Sequence, residues 1–165
     1  MPTGPAARVS DSTAHMATPL APGPGSPNVL IGMLPAWRGV PVAAGAALQA
    51  AKAPADIAVQ AAVAATAAAV GPALPVAYAA EQAVKTAAAA AMAAAINGAA
   101  ASGADKHLCP MPSPVPPHGV GVVIDGSATV MINNLPACRL GDTILESLGP
   151  PDKIVKGEPT VIIGG

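Results

Sequence analysis

The sequence predicts a mainly β fold: three copies of one short-stranded unit, with an alanine-rich helical segment inserted in the second copy. Three observations predict it. The phrase Gly25–Arg38 returns as Gly126–Arg139 and again, cut short, as Gly157–Gly165, while Pro5-Ala-Ala-Arg8 is the second half of a further copy. A fixed spacing of arginine, aspartate and a third side chain follows the phrase. Residues 41–104 hold most of the alanine and little charge. Such repeats are read first, because a single unit of this size cannot bury its apolar side alone.

Each copy reads as a small hairpin. Val29-Leu30-Ile31, Val130-Met131-Ile132 and Val161-Ile162-Ile163 are short apolar runs bounded by Gly, Pro, Ser and Asn, the pattern of a strand between turns. Asn133-Asn134 and Gly164-Gly165 suit backbone positions with positive φ. Leu34-Pro35-Ala36 and Leu135-Pro136-Ala137 open a second extended stretch, since a residue before proline avoids the helical region.

The spacing after the phrase locates the insertion. Arg8 and Arg139 are followed three residues later by Asp11 and Asp142, and four residues beyond those stand His15 and Glu146. The second copy falls into this register when residues 41–104 are removed: Asp105 then follows Arg38, and Cys109 occupies the last place. The chain is therefore divided into a discontinuous β part, 1–40 plus 105–165, and a helical insertion, 41–104. Within the insertion, proline and glycine punctuation predicts three helical segments, 43–53, 55–70 and 76–97, with Asn97-Gly98 as the final stop. Its fixed charges are Lys52, Asp56, Glu81 and Lys85.

Composition excludes several classes. The net charge of −1 offers no basic patch for nucleic acid, and without Phe and with one Trp and one Tyr there is no stacking platform for bases. So thin a supply of bulky side chains leaves a small β domain in need of a disulfide or a metal. A Cys109–Cys138 disulfide is one option. Against it, Cys138 holds an ordinary repeat position, equivalent to Ala7 and Trp37. Cys109 instead lies in His107-Leu-Cys109-Pro, and in an extended segment His107 and Cys109 face the same side. Together with His15 and His118 they make a three-histidine, one-cysteine set suited to zinc. Glu146 competes for the fourth place, although a solvated loop carboxylate is the simpler reading of it. For Asp11, Asp105 and Asp142 the simpler reading is turn formation, and pairing with the arginines adds little if the pairs are exposed.

Pro5-Ala-Ala-Arg8, Gly25-Ser-Pro-Asn-Val-Leu-Ile31, His107-Leu-Cys109-Pro110, Pro117-His118-Gly119 and Pro136-Ala-Cys-Arg139-Leu-Gly-Asp142 resemble the PAAR-repeat family over about residues 1–40 and 105–165. These are spike-tip proteins of type VI secretion and related contractile injection systems. The resemblance implies a conical β domain with one zinc ion near its point, held by His15, His107, Cys109 and His118. It implies a base seated on a trimeric spike protein, no catalysis, and transient contact with the target membrane during puncture. Trp37 and Cys138 depart from the family's usual alanine. Nothing in the resemblance reaches residues 41–104, where an effector, a chaperone or a membrane are the partners to weigh. A zinc hydrolase is disfavoured by the lack of a His-Glu-x-x-His motif or a Ser/His/Asp set. The charge-free runs 57–80 and 86–104 raise membrane insertion as a rival, but Gly71-Pro72 and Pro75 break the first, and alanine is only weakly hydrophobic. Met1-Pro-Thr-Gly-Pro5 has neither the basic start nor the apolar core of a signal peptide, so assembly in the bacterial cytoplasm and export by the machine are expected.

Overall fold

The structure, a computed structural model, describes residues 3–112 and 116–164. Its strands are β1 (Gly4–Ala6), β2 (Leu30–Ile31), β3 (Leu34–Pro35), β4 (Lys106–Pro112), β5 (Pro117–Val123), β6 (Met131–Ile132), β7 (Leu135–Pro136), β8 (Thr143–Glu146), β9 (Asp152–Lys153) and β10 (Glu158–Ile163). Two helices, α1 (Val42–Ala68) and α2 (Ala73–Ala100), lie between β3 and β4.

Two copies of the phrase form the same hairpin. In one, Leu30 pairs with Pro35 and Ile31 with Leu34; in the other, Met131 pairs with Pro136 and Ile132 with Leu135. The connecting residues, Gly32-Met33 and Asn133-Asn134, all have positive φ, between 53° and 68°. Two successive left-handed residues match the twist of a tight hairpin. The third hairpin is assembled from the two half-copies: β10 pairs antiparallel with β1, Ile163 opposite Gly4 and Ile162 opposite Pro5.

Backbone hydrogen bonds close these three units into a ring. Ala7 N donates to Cys138 O (2.9 Å), Cys138 N to Trp37 O (3.1 Å), and Trp37 N to Ala7 O (2.9 Å). A second closed set repeats the pattern, from Val9 to Pro35, from Gly39 to Pro136, and from Leu140 to Pro5, each at 2.8 to 2.9 Å. Equivalent positions of three repeats thus play equivalent parts, and the body has pseudo-threefold symmetry. Trp37 and Cys138, which replace alanine in the motif, are both buried here. They pack with Ala7, Leu20, Val123, Ile144 and Ile154.

The arginine–aspartate spacing becomes three matching clamps. Asp11 accepts the Arg8 backbone N–H at 2.9 Å and two guanidinium bonds at 3.1 Å. Asp105 accepts the Arg38 backbone N–H and two guanidinium bonds, all at 2.9 Å. Asp142 accepts the Arg139 backbone N–H and Nε, also at 2.9 Å. In each clamp the aspartate N–H returns a bond to the arginine carbonyl, at 3.0 to 3.1 Å. The pairs are not the exposed ones considered from sequence: all six side chains are buried, and a buried carboxylate needs this number of partners. Asp105 makes its clamp across the whole inserted segment.

The insertion differs from expectation. There are two helices of 27 and 28 residues, not three, so the mainly β description fits only the chain outside them. Pro54 lies inside α1 rather than ending it. It has no N–H for the Ala50 carbonyl, a local cost that the surrounding alanines, the strongest helix formers, outweigh. The break at Gly71-Pro72 is where the sequence puts it, with Gly71 at φ 58°. Asn97-Gly98 is not the stop; α2 continues to Ala100. The hairpin is anchored at its open end. Leu48 of α1 and Met92, Ile96 and Ala100 of α2 pack with Val40, Val122, Ile124, Leu135 and Leu145 of the β part. Gly45 sits directly on this sheet: a Cβ there would lie 2.7 Å from the Ile124 carbonyl oxygen. The inserted charges pair within the helices, Lys52 with Asp56 and Lys85 with Glu81, each at 2.6 Å. By length and composition alone α2 is apolar enough to cross a membrane.

Candidate metal centre

Four segments converge beside the β4–β5–β8–β9 sheet. His15 is delivered by a tight turn: Met16 and Ala17 have φ of 57° and 52°, and Thr18 N–H bonds back to the His15 carbonyl at 3.1 Å. On β4, His107 and Cys109 alternate with exposed neighbours and are both buried, as the extended reading requires. His118 enters from β5, and Glu146 ends β8, opposite Gly121. Two glycines make room. A Cβ on Gly121 would crowd the Glu146 side chain at 3.1 Å, and one on Gly149, at φ 78°, would lie 2.4 Å from His118 Nε2. Gly149 therefore backs the outer edge of the His118 ring, while Nδ1 faces inward.

The inward atoms form two overlapping groups. His15, Cys109, His118 and Glu146 present ligand atoms within 4.8 Å of one another, and so do His107, Cys109, Glu146 and Asp152. In the first, His118 Nδ1 is 2.7 Å and His15 Nδ1 3.1 Å from Glu146 Oε2, and Cys109 Sγ is 3.8 Å from His15 Nδ1. The His15 and His118 rings meet edge to face, with centroids 5.0 Å apart. In the second, His107 Nε2 is 4.0 Å from Asp152 Oδ2 and 3.4 Å from Thr18 Oγ1.

Three of the residues predicted as ligands, His15, Cys109 and His118, thus come together with Glu146, and His107 falls in the second group, which shares Cys109 and Glu146 with the first. Glu146 is not a solvated loop carboxylate. It lies on a strand with pairing on both sides of β8, and its exposure is 0%. Asp152 was not anticipated, because it falls outside the repeat spacing. Its Oδ1 accepts the backbone N–H groups of His15 and Lys153, at 2.9 and 2.7 Å, which leaves Oδ2 turned inward.

Electrostatically the cluster is short of positive charge. Glu146 Oε1 and Asp152 Oδ2 are buried without a hydrogen-bond partner among the described residues. Burial pushes the Cys109 thiol up to about 12, raises the Glu146 carboxyl and lowers His107. Two unpartnered buried carboxylate oxygens beside imidazoles and a thiol are what a divalent cation would satisfy, and this donor set fits zinc. Such an ion would hold the thiolate and supply the missing counter-charge. Both cysteines are free.

Residues 113–165 match the family model described as the PAAR motif. This match supports the resemblance to the PAAR-repeat family. The matched segment contains His118, the Cys138–Asp142 turn, Glu146 and the closing strand β10. The PAAR motif belongs to structural spike-tip components of type VI secretion-like systems, a family of non-enzymes with metal-binding members. No curated protein and no solved structure gives a match to this chain.

Proposed function

We propose that this PAAR protein is a non-enzymatic, metal-stabilised tip that caps the trimeric spike of a type VI secretion-like contractile injection system. One observation carries the reading. Leu30, Met131 and Ile162 hold equivalent places in the three hairpins and are 64%, 52% and 61% exposed, while the adjacent Ile31, Ile132 and Ile163 are 8%, 7% and 5% exposed. One set builds the core of the hairpin end, and the other gives that end three outward apolar side chains. A single chain with this pattern suits a partner of true threefold symmetry, one repeat to each protomer.

In this reading the hairpin end is the base and the cluster around Cys109 is the point. The ion is zinc, with donors drawn from His15, His107, Cys109 and His118. His15, Cys109 and His118 are common to that set and to the first four-donor group, so the fourth place lies between His107 and Glu146. The ion would link the His15 turn to three strands of the sheet, stiffening a body with few bulky side chains. Sheath contraction would supply the force for puncture, and the protein would leave the bacterial cytoplasm with the machine.

Residues 41–104 are proposed as an insertion in a β body made of 1–40 and 105–165. Ile57, Val63, Val70, Leu74, Val76 and Tyr78 are exposed along its outer part, which favours attachment of an effector or chaperone as the helices' role. Glu81 and Lys85 in the middle of α2, and the packing of Met92 and Ile96 on the sheet, speak against membrane insertion.

Replacing Leu30, Met131 and Ile162 together with glutamate tests the central reading. The triple variant should fold normally by circular dichroism and lose co-purification with the trimeric spike protein. Undiminished binding would overturn it.

A further inference from the structure

We infer that the fourth ligand of the proposed ion is Glu146, not a third histidine, so that each repeat contributes one ligand from the same position. This rests on the metal-stabilised reading above and refines it.

The repeat register supplies the first argument. His15, Cys109 and Glu146 each lie four residues beyond the clamp aspartates Asp11, Asp105 and Asp142. Those aspartates make the same bonds in all three copies. A pseudo-threefold body therefore carries three equivalent positions toward one place, and a histidine, a cysteine and a glutamate occupy them. His107 lies two residues beyond Asp105. The equivalent residues are Thr13 and Ile144, both buried, and neither a metal ligand in kind. The register thus makes His107 a packing position.

Geometry gives the second argument. A tetrahedral zinc with N and O donors near 2.0–2.1 Å and sulfur near 2.3 Å has edges of about 3.3–3.6 Å. The separations of 2.7 Å from His118 Nδ1 and 3.1 Å from His15 Nδ1 to Glu146 Oε2, and of 3.8 Å from His15 Nδ1 to Cys109 Sγ, lie on both sides of that range and close around one point. His118 presents Nδ1 to the same oxygen, because Gly149 backs its Nε2. His107 is turned instead toward Asp152 and Thr18.

Charge gives the third. Glu146 is fully buried, and its ion-pair partners among the described residues are only His15 and His118. Two neutral imidazoles, a thiolate and a carboxylate carry two negative charges, which a divalent ion balances. Left outside the ligand set, Glu146 would be a buried carboxylate faced, among the described residues, by imidazoles alone as ion-pair partners.

The test uses the full-length protein loaded with zinc, and in parallel with cobalt(II). X-ray absorption on the wild type should give one sulfur and three N/O donors, two of them imidazole. Glu146→Gln should lower zinc affinity at least tenfold and change the cobalt ligand-field bands. His107→Gln should leave one zinc per chain and an unaltered cobalt spectrum. Three imidazoles around the ion, or loss of metal from His107→Gln with retention by Glu146→Gln, would overturn the assignment while leaving a metal-stabilised tip intact. A wild-type protein that takes up no zinc would overturn both. The wild-type absorption measurement decides the matter even if a variant fails to fold.

Discussion

The β body and the helical hairpin are both built almost without bulky side chains, and they are held together by opposite means. The body binds distant segments through polar groups: two backbone rings, three buried arginine–aspartate clamps and the cluster around Cys109. The hairpin satisfies its backbone locally, within each helix, and meets the sheet through Gly45, Leu48, Met92 and Ile96. The only hydrogen bond between side chain and backbone that joins α1 to α2 among the described residues runs from Thr66 Oγ1 to the Ala77 carbonyl, at 3.2 Å. A chain poor in apolar bulk can therefore fold in either way, but the two ways fail differently. Loss of one polar partner in the body leaves a buried charge between distant segments, whereas a change at one of the hairpin's exposed alanines alters only local helix stability.

The largest expected effect removes the thiolate proposed to hold the ion. Cys109→Ser should abolish stoichiometric zinc and cost on the order of 5 kcal/mol, lowering Tm by roughly 10–20 °C for a chain of this size. Cys138→Ala should keep the zinc and cost about 1 kcal/mol, since Ala7 already fills the equivalent place in the ring. Equal losses in the two variants, measured by elemental analysis and calorimetry, would break the contrast between the Cys109 cluster and the ring.

Next in size is the clamp that spans the insertion. Asp105→Ala leaves the Arg38 guanidinium buried with only Gly25 O (2.8 Å) and Asn133 Oδ1 (3.5 Å) as remaining acceptors. The cost should be about 3–5 kcal/mol in denaturant unfolding. A cost below 1 kcal/mol would mean that the clamp is ornamental and that the ring alone joins the copies.

The smallest effect is a gain. Pro54→Ala restores the missing helical N–H and should stabilise α1 by up to about 3 kcal/mol, seen as slower amide exchange along residues 42–68 with no change in zinc content. Altered metal binding in this variant would show that the two regions are coupled after all.

Much of this was legible in the sequence, for reasons that differ from one element to another. The hairpins were legible because Asn133-Asn134 and the prolines restrict backbone angles whatever the surroundings. The clamps were legible as a spacing, and Asp105 could be assigned across the insertion because Arg38 had no other partner in register. Their strength was not, since burial of Arg38 and Asp105 is a property of the assembled ring. Glu146 was misread for the same reason. A carboxylate on its own is read as solvated, and only the pairing of β8 between β5 and β9 puts it in the interior. The signal was nonetheless present, in its distance from Asp142. Asp152 left no such signal. Pro54 was read as a boundary because the rule against internal proline is local, while the run of alanine that carries α1 through it extends over the whole helix.

The joining of β1 to β10 has a consequence for how the protein is made. Residues 4–6 leave the ribosome well before their partners, residues 158–163. Until those arrive, one face of the triangle stands open and its strand edge is bare. The proposed capping surface therefore forms only once the closing strand has been translated, because β10 completes the third hairpin.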